Sequence, residues 1–423
     1  MNRSRKRKGF TLLLVAVVAG LIAALLTPAV GGASAPRVAT ASGGTINVAG
    51  MGFAQTFADA GVGAQARFQR ANDDKEIKGY TVDFKEFVND GNDPATALSE
   101  ARRLVTQEGV LAIVPAVSVI TPSDFLTSQQ IPWFGVGYDN TYCTPDGKPG
   151  FGISAYGCLI PDSPKRVPGT QWQLLKKELA SKGIQNPTLA LLGTDTNSGK
   201  SSVQSSASAA TGVGFKVVYA KGAFPGPPAV VSDFSPYSQA ILTANDGQAP
   251  DVVYTSIAPT SSLSLINLLK NSGYTGTFLS PFYSPVLLQA LKGAYVFLQF
   301  AGFESDAKGV QQMMDDVEAF KPGTKPSLAL SAGYFAADMF IKAVNNSLKA
   351  SKTLTSASVQ KAAAKMTYQI KGTIGPTNYP ASFKLGTQSC TTLEYDADGT
   401  AFEIVQPFYC TTKTYPVLPK FKS

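Results

Sequence analysis

The chain has 423 residues, 44% of them hydrophobic, so it can bury a large core, and its length favours two domains over one. The formal net charge is +8, but residues 1–41 hold six of the 37 basic side chains and none of the 29 acidic ones. The remaining chain carries a formal charge of only +2 and has no basic cluster that could neutralise phosphates, which excludes nucleic acid as a partner.

The N-terminus has the pattern of a secretory signal peptide over residues 1–41. Five basic residues precede a charge-free apolar run over 10–26, and small residues then offer A-x-A sites at 33–35 and 39–41. We expect cleavage after Ala41, because Pro36 would follow the other site. A retained anchor is the alternative, although the run is slightly short for a membrane span. No cysteine lies near the cleavage region, so we expect an extracytoplasmic protein that is not a lipoprotein.

The four cysteines form an even set in an exported chain, which indicates disulfides. Three connectivities are open, and we predict the local one, Cys143 with Cys158 and Cys390 with Cys410. Loops of this size would each contribute about 3 kcal/mol in the chain-entropy model. A zinc site is the alternative, but the spacings differ from C-x₂₋₄-C and the chain has no histidine, so we expect no metal.

Strands and helices alternate in the first part of the mature chain. We predict strands over 45–51 and 80–88, a helix over 61–72 with a loop before it, and a helix that starts at Asp93 and Pro94, an N-cap and a first-turn proline. The apolar run 110–114 predicts a buried strand that ends at Pro115, and 133–136 predicts the next one. Such short connections predict right-handed crossovers and a parallel sheet.

A second series of the same kind follows an irregular segment over 140–168. Helices are predicted over 171–182, 200–211, 237–245 and 261–272, and strands over 188–192, 215–220, 252–256 and 277–280. A strand over 294–303, helices over 310–320, 328–348 and 356–365, and turn-rich β structure over 375–409 complete the chain. Two lobes built alike and in tandem predict a cleft between them.

Polar loops follow several predicted strands at the sheet edge where small ligands bind in open parallel sheets. Ser118 follows the strand over 110–114, and Tyr138 and Asp139 follow the next strand. In the second lobe, residues 193–201 (GTDTNSGKS) follow a strand and end in Gly-Lys-Ser. A phosphate-binding loop has four residues between its glycines and this segment has five, so we interpret it as a wall of the cleft and expect no nucleotide cofactor.

The chain is poor in catalytic groups. Without histidine, Ser-His-Asp and Cys-His arrangements cannot form, and the four cysteines are expected to be oxidised. The acidic pairs at 73–74 and 315–316 fall on predicted helices, where solvated faces explain them. We therefore predict a binding protein and not an enzyme, with a hydrolase of the Ser-Lys type left open.

The order of these elements resembles that of the type 1 periplasmic-binding proteins, in the leucine/isoleucine/valine-binding branch that serves ABC importers. The resemblance covers nearly all of the mature chain and rests on residues 61–73 (GVGAQARFQRAND), 90–118 with 131–137, 250–276, 374–380 (IGPTNYP) and 396–408 (DADGTAFEIVQPF). It implies an α/β fold of two Rossmann-like lobes with parallel sheets joined by a multi-strand hinge. Lobe 1 would comprise residues 42–154 plus 299–375, and lobe 2 residues 155–298 plus 376–423.

The resemblance also implies a small ligand held between the lobes and a monomer that docks on a membrane permease. In amino-acid binders of this family, the positions that hold the ligand carboxylate fall on Ser118, Gly137 and Asp139. Phe282 and Tyr283 stand where an acidic residue often receives the ligand ammonium, so an apolar or aromatic solute, or an amino-acid-like one, is expected. An extracellular ligand sensor for a signalling partner is the alternative function.

The predicted ligand-binding set combines both walls of the cleft. It comprises Phe53, Ser118, Gly137, Tyr138, Asp139, Thr196, Asn197, Ser256, Phe282 and Tyr283. We expect Tyr138 and Tyr283 to face each other across the cleft, because each follows a predicted strand at its carboxyl end.

Overall fold

The computed structural model describes residues 40–41, 44–226, 228–351, 353–385 and 389–419. The predicted signal peptide therefore lies outside the described residues, except for Thr40 and Ala41. The backbone N–H of Ala41 donates to the carbonyl of Leu354 at 3.1 Å. No helix in the described ranges is long and apolar enough to cross a membrane.

The first sheet has five parallel strands in the order β2-β1-β3-β4-β5. The strands are β1 Thr45–Gly52, β2 Thr81–Asn89, β3 Ala112–Val117, β4 Trp133–Gly135 and β5 Gly152–Ser154, and the helices between them are α1 Ala54–Asp73, α2 Pro94–Thr106 and α3 Ser123–Ser128. Helix α2 begins as predicted, with the Asp93 side chain accepting a hydrogen bond from the Thr96 N–H. Every residue of β3 is buried, as expected for a strand covered on both faces.

The second sheet has seven strands in the order β15-β14-β11-β10-β9-β7-β8. Its parallel strands are β7 Thr188–Thr194, β8 Lys216–Phe224, β9 Val252–Ser256, β10 Thr277–Ser280 and β11 Ala294–Leu298, and its antiparallel strands are β14 Ser389–Tyr395 and β15 Glu403–Thr411. The associated helices are α4 Thr170–Ser181, α5 Asn197–Val213, α6 Ser235–Leu242, α7 Pro259–Asn271 and α8 Leu288–Leu291. Strands β6 (Arg166–Pro168) and β16 (Thr414–Pro416) pair beside α5.

The chain then returns to the first sheet. It forms the helices α9 Lys308–Phe320, α10 Leu328–Ala350 and α11 Ser356–Ala363. The hairpin of β12 Thr367–Ile370 and β13 Ile374–Asn378 follows. Short 3₁₀ helices lie at Asn140–Tyr142, Pro285–Leu287 and Ala381–Phe383. Helices α9 and α10 pack against α1, and α10 also packs against β3 and β4. The chain thus crosses between the sheets after β5, β11 and β13. The predicted fold class, two Rossmann-like lobes joined by a multi-strand hinge, is confirmed.

Two glycines allow α1 and α10 to approach each other closely. A Cβ added at Gly63 would lie 2.0 Å from the Leu330 carbonyl oxygen, and one at Gly333 would lie 1.8 Å from the Ala60 carbonyl oxygen. Both clashes are with backbone, so a larger residue would push the helices apart. Gly63 therefore serves the packing of α1 on α10, and Gly61 the packing of α1 on Phe87 of β2, which agrees with rejecting the pattern as a nucleotide fingerprint.

Several predicted boundaries are wrong, among them the end of β8, which lies at Phe224 and not at Ala220. Helix α1 begins at Ala54 and not at Gly61, and the Ala54 N–H donates to the Asn89 side chain at 2.9 Å, a partner that local sequence does not show. Strand β3 does not end at Pro115 but continues through it to Val117. Strand β11 stops at Leu298, because the chain then leaves the sheet for α9.

Both predicted disulfides are confirmed. Cys143 and Cys158 are joined with their Cα atoms 4.9 Å apart, and they link the segments that follow β4 and β5. Cys390 on β14 and Cys410 on β15 are joined with Cα atoms 4.0 Å apart, because they are direct partners in the antiparallel register. The boundaries of the two lobes in the chain stay a prediction.

Candidate functional site

A cavity of about 340 Å³ lies between the two sheets. From the first sheet it is lined by the segments that follow β1, β3 and β4, and from the second by those that follow β7, β9 and β10. All six strands are parallel and end at the cavity, so it lies at the carboxyl edges of both sheets. Its volume is within the usual range for small-molecule sites.

The part of the cavity between the sheets has mainly apolar walls. Its apolar lining residues include Phe53, Phe57, Val119, Ile120, Tyr138, Leu159, Phe224, Ile257, Phe282 and Leu328. The rings of Phe57 and Tyr138 stack with centroids 5.5 Å apart. Such a surface gains free energy by taking apolar groups out of water, at about 25 cal/mol per Å².

Two hydroxyl groups of the lining are buried and unpaired. Neither the Tyr138 hydroxyl nor the Ser205 Oγ has a hydrogen-bond partner among the described residues. Burial raises the pKa of Tyr138 well above its ordinary value, so the phenol keeps its proton and remains a donor. Unpaired buried polar atoms are costly, and a ligand that bonds to them would remove that cost.

Six of the ten predicted ligand-binding residues line the cavity. They are Phe53, Gly137, Tyr138, Thr196, Ser256 and Phe282. Thr196 caps α5, accepting a hydrogen bond from the Gly199 N–H at 3.1 Å, and the Ser256 and Ser202 hydroxyl oxygens lie 3.0 Å apart. The structure thus brings together side chains from both walls, while ligand contact at each of them stays a prediction.

The other four predicted residues, Ser118, Asp139, Asn197 and Tyr283, are not part of the described lining. Ser118 Oγ accepts a hydrogen bond from the Ile120 N–H, which shapes the loop after β3. Asp139 is buried and accepts bonds from the Thr121 hydroxyl at 2.7 Å and the Thr141 N–H at 2.8 Å. Burial raises the pKa of the Asp139 carboxyl, and these hydrogen bonds act in the opposite direction.

Tyr283 points away from the cleft. Its side chain is only 3% exposed, its ring lies 4.7 Å from those of both Phe303 and Phe402, and its hydroxyl donates to Glu304. The expected pair of Tyr138 and Tyr283 across the cleft is therefore not seen in this structure. Tyr283 instead contacts the crossing segment after β11.

The sequence reasoning missed a row of serines on α5. Ser198, Ser202, Ser205 and Ser206 all line the cavity. They are spaced at i, i+4, i+7 and i+8, which places them on one face of the helix. The spacing indicates a polar helix face from the sequence alone, but only the packing of α5 shows that this face lines a cavity.

Two open parallel-stranded lobes with a mainly apolar cavity at their carboxyl edges define a two-lobed ligand-binding protein. A family model described as periplasmic binding protein matches residues 44–400. The chain belongs to this family. No curated protein matches the chain by sequence.

Solved structures share the fold at low sequence identity. A fatty acid ABC transporter substrate-binding protein from Thermomonospora curvata is 18% identical, with a TM-score of 0.70, over 90% of this chain and 97% of that one. A possible leucine/isoleucine/valine-binding protein from Rhodopirellula baltica is 17% identical, with a TM-score of 0.66, over 88% and 99%. A solute-binding protein of an ABC transporter from R. palustris, in complex with 4-hydroxybenzoate, is 16% identical, with a TM-score of 0.63, over 86% and 97%.

Proposed function

We propose that this protein is the extracytoplasmic solute-binding component of an ABC importer. It binds a small apolar or aromatic organic solute, or an amino-acid-like one, between lobe 1 (42–154 plus 299–375) and lobe 2 (155–298 plus 376–423). The observation that carries the proposal is the mainly apolar cavity between the carboxyl edges of the two sheets. Membership of the periplasmic binding protein family supports it.

The chemistry of the site favours binding without turnover. The chain has no histidine, its four cysteines are paired, and no lysine, aspartate or glutamate is among the described residues that line the cavity. A nucleophile in this cavity would thus have no base beside it. We propose a monomer without cofactor, exported by its signal peptide, that delivers its solute to a membrane permease.

The lobes touch at the rim of the cavity. The N–H of Leu328, the first residue of α10, donates to the carbonyl of Tyr283 after β10 at 3.0 Å. Both Leu328 and the neighbouring Phe282 line the cavity. Opening of the lobes would break this hydrogen bond. A ligand that contacts both lobes across the cavity would favour the closed arrangement, in which the bond is formed.

Thermal-shift screening of the mature protein tests the proposal. Small aromatic acids and amides, alcohols, fatty acids, amino acids and sugars form the panel, and a ligand at a hundred times its Kd should stabilise the fold by about 2.7 kcal/mol. The protein must first be unfolded, stripped and refolded, with bound solute sought by mass spectrometry. If the stripped protein responds to no compound and no solute was carried through purification, the proposal fails.

Alanine substitutions at two tyrosines should separate a ligand contact from a structural role. Tyr138→Ala should weaken binding by about 1–3 kcal/mol, because Tyr138 lines the cavity and its hydroxyl has no partner among the described residues. Tyr283→Ala should instead lower the unfolding free energy of the unliganded protein by about 3–5 kcal/mol, because its ring is buried between two others. Isothermal titration and thermal melts of both variants measure the two effects, and the reverse pattern would show that the assignment is mistaken.

A further inference from the structure

The cavity continues beyond the cleft into lobe 2. There it is lined by Gln171 on α4, by Ser202, Ser205 and Ser206 on α5, and by Tyr254 and Phe297 on the second sheet. We call this part the side chamber. Along α5 the lining runs from Ser198 to Ser206, which is about 12 Å at 1.5 Å per residue.

The side chamber lies on one face of the second sheet. Tyr254 and Phe297 belong to the core cluster that also contains Trp172 of α4 and Val203 of α5, so all of these side chains lie on the face that the two helices cover. The ring of Tyr254 packs at 5.5 Å from Trp172 and 6.2 Å from Phe297. The aromatic side chains of the chamber floor therefore pack against one another and against α4.

The polar groups of the side chamber are neutral. They are hydroxyls and one primary amide, which can donate and accept hydrogen bonds. Ser202 is engaged with Ser256, whereas Ser205 Oγ is buried and has no partner among the described residues. Ser205, a lining residue, thus carries a hydroxyl that no described residue engages.

The described lining of the whole cavity contains no Asp, Glu, Lys or Arg. A ligand ammonium would have no counter-ion, and the positive N-terminal end of α4, where Gln171 lies, would disfavour it further. A carboxylate would also lack a side-chain cation, and the first-turn N–H of Gly199 is already bonded to Thr196. The positive end of α4 would favour it by at most about 2 kcal/mol, which is less than the several kcal/mol that burying an unpaired ion costs. Burying an unpaired ion is costly, so the lining selects against both charges.

From these observations we infer that the ligand is an uncharged, elongated molecule with an apolar or aromatic body in the cleft and a hydroxyl, carbonyl or amide end in the side chamber. The inference rests on the proposed function and specifies its solute class. The cavity volume is that of roughly a dozen non-hydrogen atoms, taking about 30 Å³ for each, the share of a water molecule in the liquid. The same reasoning disfavours a zwitterionic amino acid among the solutes proposed above.

Isothermal titration with matched probes tests the charge requirement. Phenylacetamide, phenylacetate and phenethylamine have nearly the same shape but are neutral, anionic and cationic at pH 7. Octanol, octanoate and octylamine repeat the comparison without an aromatic ring. The neutral member of each set should bind at least about tenfold more tightly than its charged relatives.

The role of the side chamber in ligand binding is tested by a substitution that fills it with a larger side chain. Affinity for straight-chain alcohols should rise from butanol to octanol in the wild-type protein, and Ser205→Leu should abolish that rise. Ser201→Leu is the matched control, because Ser201 is on the same helix but is not among the lining residues. Should Ser205→Leu fail to fold, Ser205→Ala should still lower affinity for the alcohols about threefold to tenfold.

The outcomes separate the two proposals. The inference of an uncharged ligand that enters the side chamber would be wrong if the charged probes bound as tightly as the neutral ones. It would also be wrong if the affinity of Ser205→Leu for alcohols still rose with chain length. Either result would leave the proposed solute binding intact. Failure of every probe and of the whole screening panel would overturn the proposed function as well.

Discussion

Arg67→Met should lower the free energy of unfolding by about 3–5 kcal/mol, because it removes one partner of a buried ionic network. Arg67 on α1 is 4% exposed, donates to both carboxylate oxygens of Glu76 at 2.9 and 2.7 Å, and donates to Asp338 on α10 at 2.8 Å. Burial alone would lower the pKa of Arg67, but its two carboxylate partners raise it above the ordinary value, so the group stays charged. Without it, Asp338 would lose its cation at the α1–α10 contact, and Glu76 would keep only Arg70, at 3.4 Å.

Urea unfolding of the variant measures this loss, and Arg103→Met provides the matched control. Arg103 also contacts three carboxylates, those of Glu86, Glu100 and Glu108, but it is 31% exposed. Water and salt screen such surface pairs, so the control should cost no more than about 1 kcal/mol. Equal losses in the two variants would show that burial of the Arg67 network is not the cause.

Glu394→Gln should make the protein more stable at neutral and alkaline pH. Glu394 on β14 is fully buried, and neither carboxyl oxygen accepts a hydrogen bond from a donor among the described residues. Burial, followed by the negative charge of Glu304 and a hydrogen bond that protonated Glu394 shares with it, raises the pKa of Glu394 to about 10. The folded protein therefore keeps a proton on this group that the unfolded chain releases above a pKa of about 4.3.

The sign of the pH effect follows from that difference in bound protons. Below about pH 4.3 both states are protonated and the group has no effect, whereas stability falls as pH rises from there towards 10, because the unfolded state loses its proton first. At pH 7 the cost is about 3–4 kcal/mol, at 1.36 kcal/mol per pH unit. Gln cannot ionise, so the Glu394→Gln variant should recover most of this lost unfolding free energy.

Denaturant unfolding between pH 5 and pH 9 checks this expectation. The wild-type protein should lose stability with pH more steeply than Glu394→Gln, and Glu403→Gln, an exposed position on the neighbouring strand, should keep the wild-type slope. Parallel pH profiles for the wild type and Glu394→Gln would contradict a retained proton on Glu394.

Most elements of the fold could be predicted because their signals are local. The apolar runs of β3 and β9 and the Asp93-Pro94 start of α2 needed only sequence neighbours to be recognised. The start of α1 was missed because its first N–H is bonded to Asn89, which lies on another strand. The length of β11 was overestimated because the apolar run continues into the crossing segment, where Phe300 is buried without being part of a strand.

The candidate site was predictable only at the level of loops. The carboxyl ends of the predicted strands indicate which loops lie together. On this basis Phe53, Tyr138 and Ser256 are predicted at the site, and all three line the cavity. Side-chain direction depends on tertiary partners, and Glu304 and two phenylalanines hold Tyr283 away from the cleft. The side chamber needed the packing of α4 and α5 on the second sheet, so Ser205 could not be assigned to a site from its own segment.

A crystal structure of the complex with the tightest-binding probe tests the central claim most directly. We expect the ligand to lie between the two sheets, in contact with Tyr138 from the first and with Ser256 or Ser205 from the second. A ligand bound outside this cavity, or one that contacts residues of a single lobe, would contradict a solute-binding protein that closes its lobes on the solute.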